Sequence, residues 1–173
     1  MNESFIVKPA FSLIGAAVRT TNEAETGPSG KLAGLWQSYF SSGIAEKVQV
    51  QNSHLIYALY TDYESDASGA YTTLIGHEYA GGQTEERFQE PLVLEQATEP
   101  IVLEQAMVPE AKYIVFKTRK GPVYDVVAKA WGEIWAYFEN ASLERTYTGD
   151  FELYDTRTFH PESAEIDIYI AIK

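Results

Sequence analysis

The chain contains no cysteine, which excludes disulfides and thiolate metal sites and points to a reducing cytoplasm. It has no run of about 18 apolar residues, so no membrane span is expected. Its start, MNESFIVKPAF, lacks the basic-then-apolar layout of a secretion signal. Basic residues are scarce: 13 Lys and Arg stand against 25 Asp and Glu, a net charge of −12. Such a field repels phosphate backbones and argues against direct nucleic-acid binding. It favours cationic partners, the plainer account being a solubility coat. The three histidines, His54, His77 and His160, show no HExxH or HxH spacing, so no metal site is expected. GxSxG, Walker A and GxGxxG are missing, and Gly27, Gly30 and Gly34 lack the preceding strand that a phosphate cradle needs. A serine or cysteine nucleophile has no support, and no cofactor is expected.

What the chain does have is aromatic surface: 12 Tyr, 8 Phe and 3 Trp in 173 residues. The length suits one domain spanning 1–173 with a sizeable core. A core absorbs many aromatics, and tyrosines with a polar tip also suit the wall of a ligand cavity.

The pattern along the chain repeats. FIVKPAFSLIGAAVR (5–19) predicts a long, bent strand with Pro9 early and a bulge at Gly15. After the polar loop 21–30, Leu32, Leu35, Trp36, Tyr39 and Phe40 form the stripe of an amphipathic helix. HLIYALYTDY (54–63) and AYTTLIGHEY (70–79) predict an antiparallel hairpin. The second half then offers a strand at 111–119, a helix at 123–138 and strands at 149–155 and 165–173. Trp36 precedes Tyr60 by 24 residues and Trp131 precedes Tyr154 by 23. Strand–helix–strand–strand thus occurs twice, over about 5–79 and 110–173. This points to an internal duplication with an approximate two-fold axis. Between the halves, EPLVLEQAT (90–98) is followed by EPIVLEQAM (99–107), alike at seven of nine positions. Two copies do not make a solenoid; the duplication extends the linker (90–107) or an edge strand.

In register, LIYALYTD lies over GDFELYDT, matching Tyr57 to Phe151, Ala58 to Glu152 and Tyr60 to Tyr154. Phe151 and Leu153 take one strand face, read as packing on the helices. Glu152 and Tyr154 take the other, expected along a groove between the halves. A carboxylate there is either solvated or held in a pocket. An ionised carboxylate among aromatics is costly unless paired, so a pocket would imply a cationic ligand.

The segments IYALYTDYESDASGAYTTLIGHEY, KYIVFKTRKGPVYDV, the Trp131 helix and DFELYD resemble the gyrase-inhibitor-like family, the effector-binding domains of many bacterial multidrug-responsive transcription activators. The resemblance covers residues 5–79 and 110–173. It implies an α+β fold in which duplicated strand–helix–strand–strand units form a curved antiparallel sheet with pseudo-two-fold symmetry, helices on its outer face and a central ligand cleft. It also places Glu152 at the family's buried acid of an FExY segment that meets cationic drugs. Family activators carry an N-terminal helix-turn-helix; here the domain begins at residue 5, so a stand-alone member is expected.

The resemblance implies binding of lipophilic, often cationic small molecules. Glu152 is the expected charge partner, with Tyr60, Tyr71, Tyr154 and Tyr169 as walls from strands and Trp36 and Trp131 from helices. An alternative is a hydrolase opening strained cyclopropane rings of DNA-alkylating compounds, with Glu152 as base and Tyr60 or Tyr71 as hydrogen-bond donor. A third reading is gyrase-inhibitor-like binding of a protein partner. The residues do not separate binding from turnover or specify an oligomeric state.

Overall fold

Strands form wherever β-branched and aromatic residues alternate, and they stop at proline, glycine or polar stretches. The computed structural model describes residues 2–79, 92–94 and 101–173. Its elements are β1 (Asn2–Lys8), β2 (Phe11–Thr21), α1 (Asn22–Glu25), α2 (Leu32–Ser42), α3 (Ile44–Lys47), β3 (Leu55–Thr61) and β4 (Ala70–Glu78). They continue with β5 (Leu92–Leu94), β6 (Ile101–Val108), β7 (Ala111–Lys117), α4 (Val123–Asn140), β8 (Asp150–Asp155) and β9 (Asp167–Ile172). Residues 90, 91 and 95–100 of the duplicated linker lie outside the described residues. Among the described residues, no helix is long and apolar enough to cross a membrane.

The single bent strand expected over 5–19 is two strands. Pro9 cannot donate to a ladder, and the chain leaves one sheet edge there to enter another. No bulge occurs at Gly15, which stays in register opposite Gly76. Its role is close approach: a Cβ on Gly15 would lie 2.1 Å from the Ile75 carbonyl oxygen. The α2 helix begins where Glu25 accepts from the Lys31 and Leu32 N–H groups and ends at Gly43, whose φ of 59° is left-handed.

The strands form one antiparallel sheet in the order β1-β7-β9-β8-β3-β4-β2-β6-β5. From β7 to β2 the order is a palindrome of the two strand–helix–strand–strand units, with its axis between β8 and β3. The expected duplication is therefore the architecture. The halves also exchange their leading strands: β1 runs into β2 but pairs with β7, while β6 runs into β7 but pairs with β2. Pro9 and Pro109 mark the two equivalent crossings. Each connection spans three Cα steps, at most about 11 Å, so opposite ends of the sheet are drawn together and the sheet curls.

The direction of the curl is fixed by aromatic contact. Phe11 of β2 and Phe151 of β8 lie three places apart in the order, yet their rings are 5.6 Å apart. The face carrying them is concave, filled by Leu13, Tyr57, Leu59, Leu74, Tyr113 and Phe151. The helices lie on the convex face: α2 packs Leu35 and Tyr39 with Ala58, Ile75 and Tyr154, and α4 packs Ala130 and Ile134 with Ile114, Ile168 and Ile170. Phe151 therefore does not pack on the helices, as its strand alternation was read. The helices cover the Glu152 face instead, and Phe151 belongs to the all-strand core behind it. Phe40, assigned to the buried stripe of α2, is 65 % exposed and stacks on Trp36.

Candidate functional site

Strand β8 puts Asp150, Glu152 and Tyr154 on its convex face, and all three are buried. They meet two different fates. Asp150 is electrostatically complete: it accepts from Arg145 at 2.7 Å, the Tyr63 hydroxyl at 2.6 Å and the Ala171 N–H at 2.8 Å. The guanidinium of Arg145 is itself sandwiched, 4.4 Å from the Tyr147 ring centroid.

Glu152 is only 2 % exposed and, among the described residues, has no cation within ion-pair reach. Its partners are three aromatic donors. The Trp131 indole N–H donates to Oε1 at 2.7 Å and the Tyr60 hydroxyl to the same oxygen at 2.9 Å. The Tyr154 hydroxyl donates to Oε2 at 2.6 Å. Charge-assisted bonds of this kind contribute about 1.5–3 kcal/mol each, but burying an unpaired carboxylate costs several kcal/mol. The balance leaves the acid strained: burial pushes the Glu152 carboxyl above its ordinary value, and the bonds from Tyr154, Trp131 and Tyr60 pull it only partly back. Burial and the Glu152 charge push the Tyr60 and Tyr154 hydroxyls well up, so both remain protonated donors.

The remaining expected site residues divide. Trp36 reaches the cluster through Tyr154, edge to ring at 5.1 Å, and Trp131 packs on Tyr60 at 5.2 Å. The Tyr71 ring joins Tyr60 at 5.6 Å, but its hydroxyl donates to Asn22 rather than to Glu152. Burial first, then the charges of Glu25 and Glu152, push that hydroxyl up to about 12. Tyr169 does not join them. It lies on the concave face, stacked 4.5 Å from Phe151 with the Lys8 ammonium over its ring. The residue opposite Phe151 on β9 shares its face, and only the strand register reveals that pairing.

Two polar pairs escaped the sequence reading. One is Arg145–Asp150. The other is His77, fully buried on β4, bonded to the Tyr39 hydroxyl at 2.6 Å and the Leu55 carbonyl at 2.8 Å. Neither shows a local motif. Among the described residues no cluster of three His, Cys, Asp or Glu is placed to hold a metal ion.

The Glu152 cluster is closed over by its own aromatics. An open groove of about 540 Å³ lies at the neighbouring end of the sheet, lined by Leu55, Lys117, Leu153, Phe159, His160 and Asp167 among others. Its mixed charges include no buried acid, whereas the Glu152 cluster holds one with no cation beside it among the described residues. Phe159, whose ring meets Tyr154 at 5.9 Å, separates the two.

Residues 6–172 match the model of the integron-associated effector-binding protein family. The chain is 31 % identical over 160 residues to YobU of Bacillus subtilis (strain 168), named as a proposed transcriptional regulator, covering 92 % of this chain and 90 % of that one. An integron cassette protein from the mobile metagenome of Vibrio cholerae superposes with a TM-score of 0.73 at 28 % identity, covering 99 % of this chain and 95 % of that one. The structure of SAV2435 bound to tetraphenylphosphonium superposes with a TM-score of 0.70 at 18 % identity, covering 100 % and 94 %.

Proposed function

The chain belongs to the family of integron-associated effector-binding proteins, and we propose that its effector is a lipophilic cation held at Glu152 between α2 and α4. The observation that carries this reading is the contrast on β8: Asp150 has Arg145, and Glu152 has three donors and, among the described residues, no cation.

The same geometry narrows the ligand. Oε1 already accepts two hydrogen bonds and Oε2 one, so a single acceptor position is left and a ligand with several N–H donors would have to displace Tyr60, Trp131 or Tyr154. A quaternary phosphonium, quaternary ammonium or delocalised dye brings charge without donors. It leaves the bonds intact, gains the field of the carboxylate and adds about 0.5–2 kcal/mol per aromatic face. SAV2435, whose fold this chain shares, was solved with a molecule of that kind. Hydrolysis fits less well. A general base needs a free lone pair facing water, and the Tyr71 hydroxyl is directed to Asn22.

Tryptophan fluorescence titration with tetraphenylphosphonium tests the reading, since Trp36 and Trp131 flank the cluster. Binding should weaken at least about tenfold in Glu152→Gln, the equivalent of about 1.4 kcal/mol. A primary amine of similar apolar surface should bind more weakly than the phosphonium. Equal binding of the phosphonium to wild type and Glu152→Gln would sink the proposal.

A further inference from the structure

β5 and β6 come from the two copies of the duplicated nonapeptide, and their placement is specific. β5 lies in the first copy and β6 opens in the second. The two pair antiparallel, with Leu92 opposite Leu103, Val93 opposite Val102 and Leu94 opposite Ile101. Counted within the repeat, the third residue faces the fifth, the fourth faces the fourth and the fifth faces the third. The (L/I)VL segment is therefore paired with a copy of itself about a local two-fold axis at Val93 and Val102. A strand that does this within one chain can do so between two chains in the same register.

Beyond residues 101–103, β6 is held without β5. It has a five-pair ladder on β2, from Phe11–Val108 to Gly15–Glu104. Leu103 is 2 % exposed in the cluster with Ile14, Ala16 and Ile75. The β2 ladder stops at Glu104, so among the described residues β5 is the only strand paired with 101–103. The symmetry counterpart of β6 is β1, beside which no such added strand lies among the described residues. There the exposed Phe5, Ile6 and Val7 are guarded by charge: Lys8 ends the strand and the Lys112 ammonium sits 5.6 Å from the Phe5 ring centroid. Lysine on an edge discourages pairing. Ile101, Val102 and Leu103 carry no lysine, and the charge that follows them is Glu104.

We propose that the edge of β6 at residues 101–103 is a self-recognition surface for a second copy of this chain, and that β5 is a built-in cap that keeps it filled. Uncapped, two copies would join about a two-fold axis at Val102, reproducing between chains the register that β5 and β6 show within one.

Sedimentation velocity over a wide range of loading concentrations tests this with the full chain. Wild type should run as a monomer. Val93→Pro, which withdraws the central N–H of the cap, should show a concentration-dependent dimer at least tenfold tighter than any wild-type association. Adding Val102→Pro should return it to monomer, and excess EPLVLEQAT peptide should dissolve the dimer. Deleting 90–98 gives a second route to the same uncapped edge. The proposal fails if both uncapped forms stay monomeric, if the dimer survives Val102→Pro, or if wild type dimerises as tightly as Val93→Pro. It also fails if neither uncapped form folds, because β5 would then be part of the core and no cap.

Discussion

Ala58 and Glu152 face each other across the β3–β8 pair, and they also occupy equivalent positions in the two halves. Both statements hold only for a residue pair on the pseudo-two-fold axis. A symmetric ancestor would place either two carboxylates or two small residues there. Two carboxylates so close could not both ionise, and two alanines would offer no charge. The Ala–Glu combination gives one charge, with a small neighbour beside it.

Ala58 is 1 % exposed and packed with Ile14, Tyr39 and Ile75. Ala58→Leu should therefore overpack the axis, costing about 1–3 kcal/mol and lowering the thermal midpoint by several degrees. Phosphonium affinity should fall with it. A variant as stable as wild type that binds normally would show that the space beside Glu152 is unused.

The two tyrosines assigned together from sequence should separate in their effects. Tyr154→Phe leaves Oε2 of Glu152 without its donor and should cost about 1–3 kcal/mol. Tyr169→Phe keeps its stack on Phe151 and touches nothing in the cluster, so phosphonium affinity should stay within about twofold of wild type. Urea midpoints and fluorescence titrations of the two variants check this.

These residues mark what was legible in the sequence. The duplication, the α2 and α4 helices and the Ala58/Glu152 register were readable because each half carries the same order of hydrophobic periods. The roles of the sheet faces were not. Alternation says that Phe151 and Glu152 face opposite ways, but both faces of this sheet are buried, so burial cannot tell which one the helices cover. Tyr169 was misplaced for the same reason: its face depends on pairing with Phe151, a register set by tertiary contact. The break at Pro9 was visible as a proline, but the strand exchange that it permits depends on β7, about a hundred residues away. The nonapeptide was readable as a duplication extending the linker or an edge strand and nothing more, because self-pairing appears only when β5 meets β6.

The Arg145–Asp150 pair should prove structural. Both groups are buried, so removing one partner strands a charge, and Arg145→Met should cost about 3–5 kcal/mol. Adding Asp150→Leu should recover most of that loss. Denaturant midpoints of the single and double variants measure it; a double variant no better than the single would mean that the loss lay elsewhere than in the uncompensated carboxylate.

Glu152 should report itself through pH. Burial raises its folded pKa above the ordinary 4.5, and the bonds from Tyr154, Trp131 and Tyr60 offset this only in part. Above about pH 4.5 the unfolded chain has released this proton while the folded chain still holds it. Folding therefore binds a proton across that window, and stability falls as pH rises through it to the raised value. Glu152→Gln carries no such proton and should escape the loss. The melting midpoint of Glu152→Gln relative to wild type should thus climb as pH rises from about 4.5 and then level off. Other titrating groups cancel in the difference. Phosphonium binding should run the opposite way for wild type, weakening as the pH drops and the carboxylate takes its proton, while the weaker binding of Glu152→Gln stays flat. Melts and titrations on both proteins from about pH 4 to 8 test the two trends together. A flat difference in midpoint with pH-independent binding would mean that Glu152 is ionised throughout, and that no cation is needed to balance it.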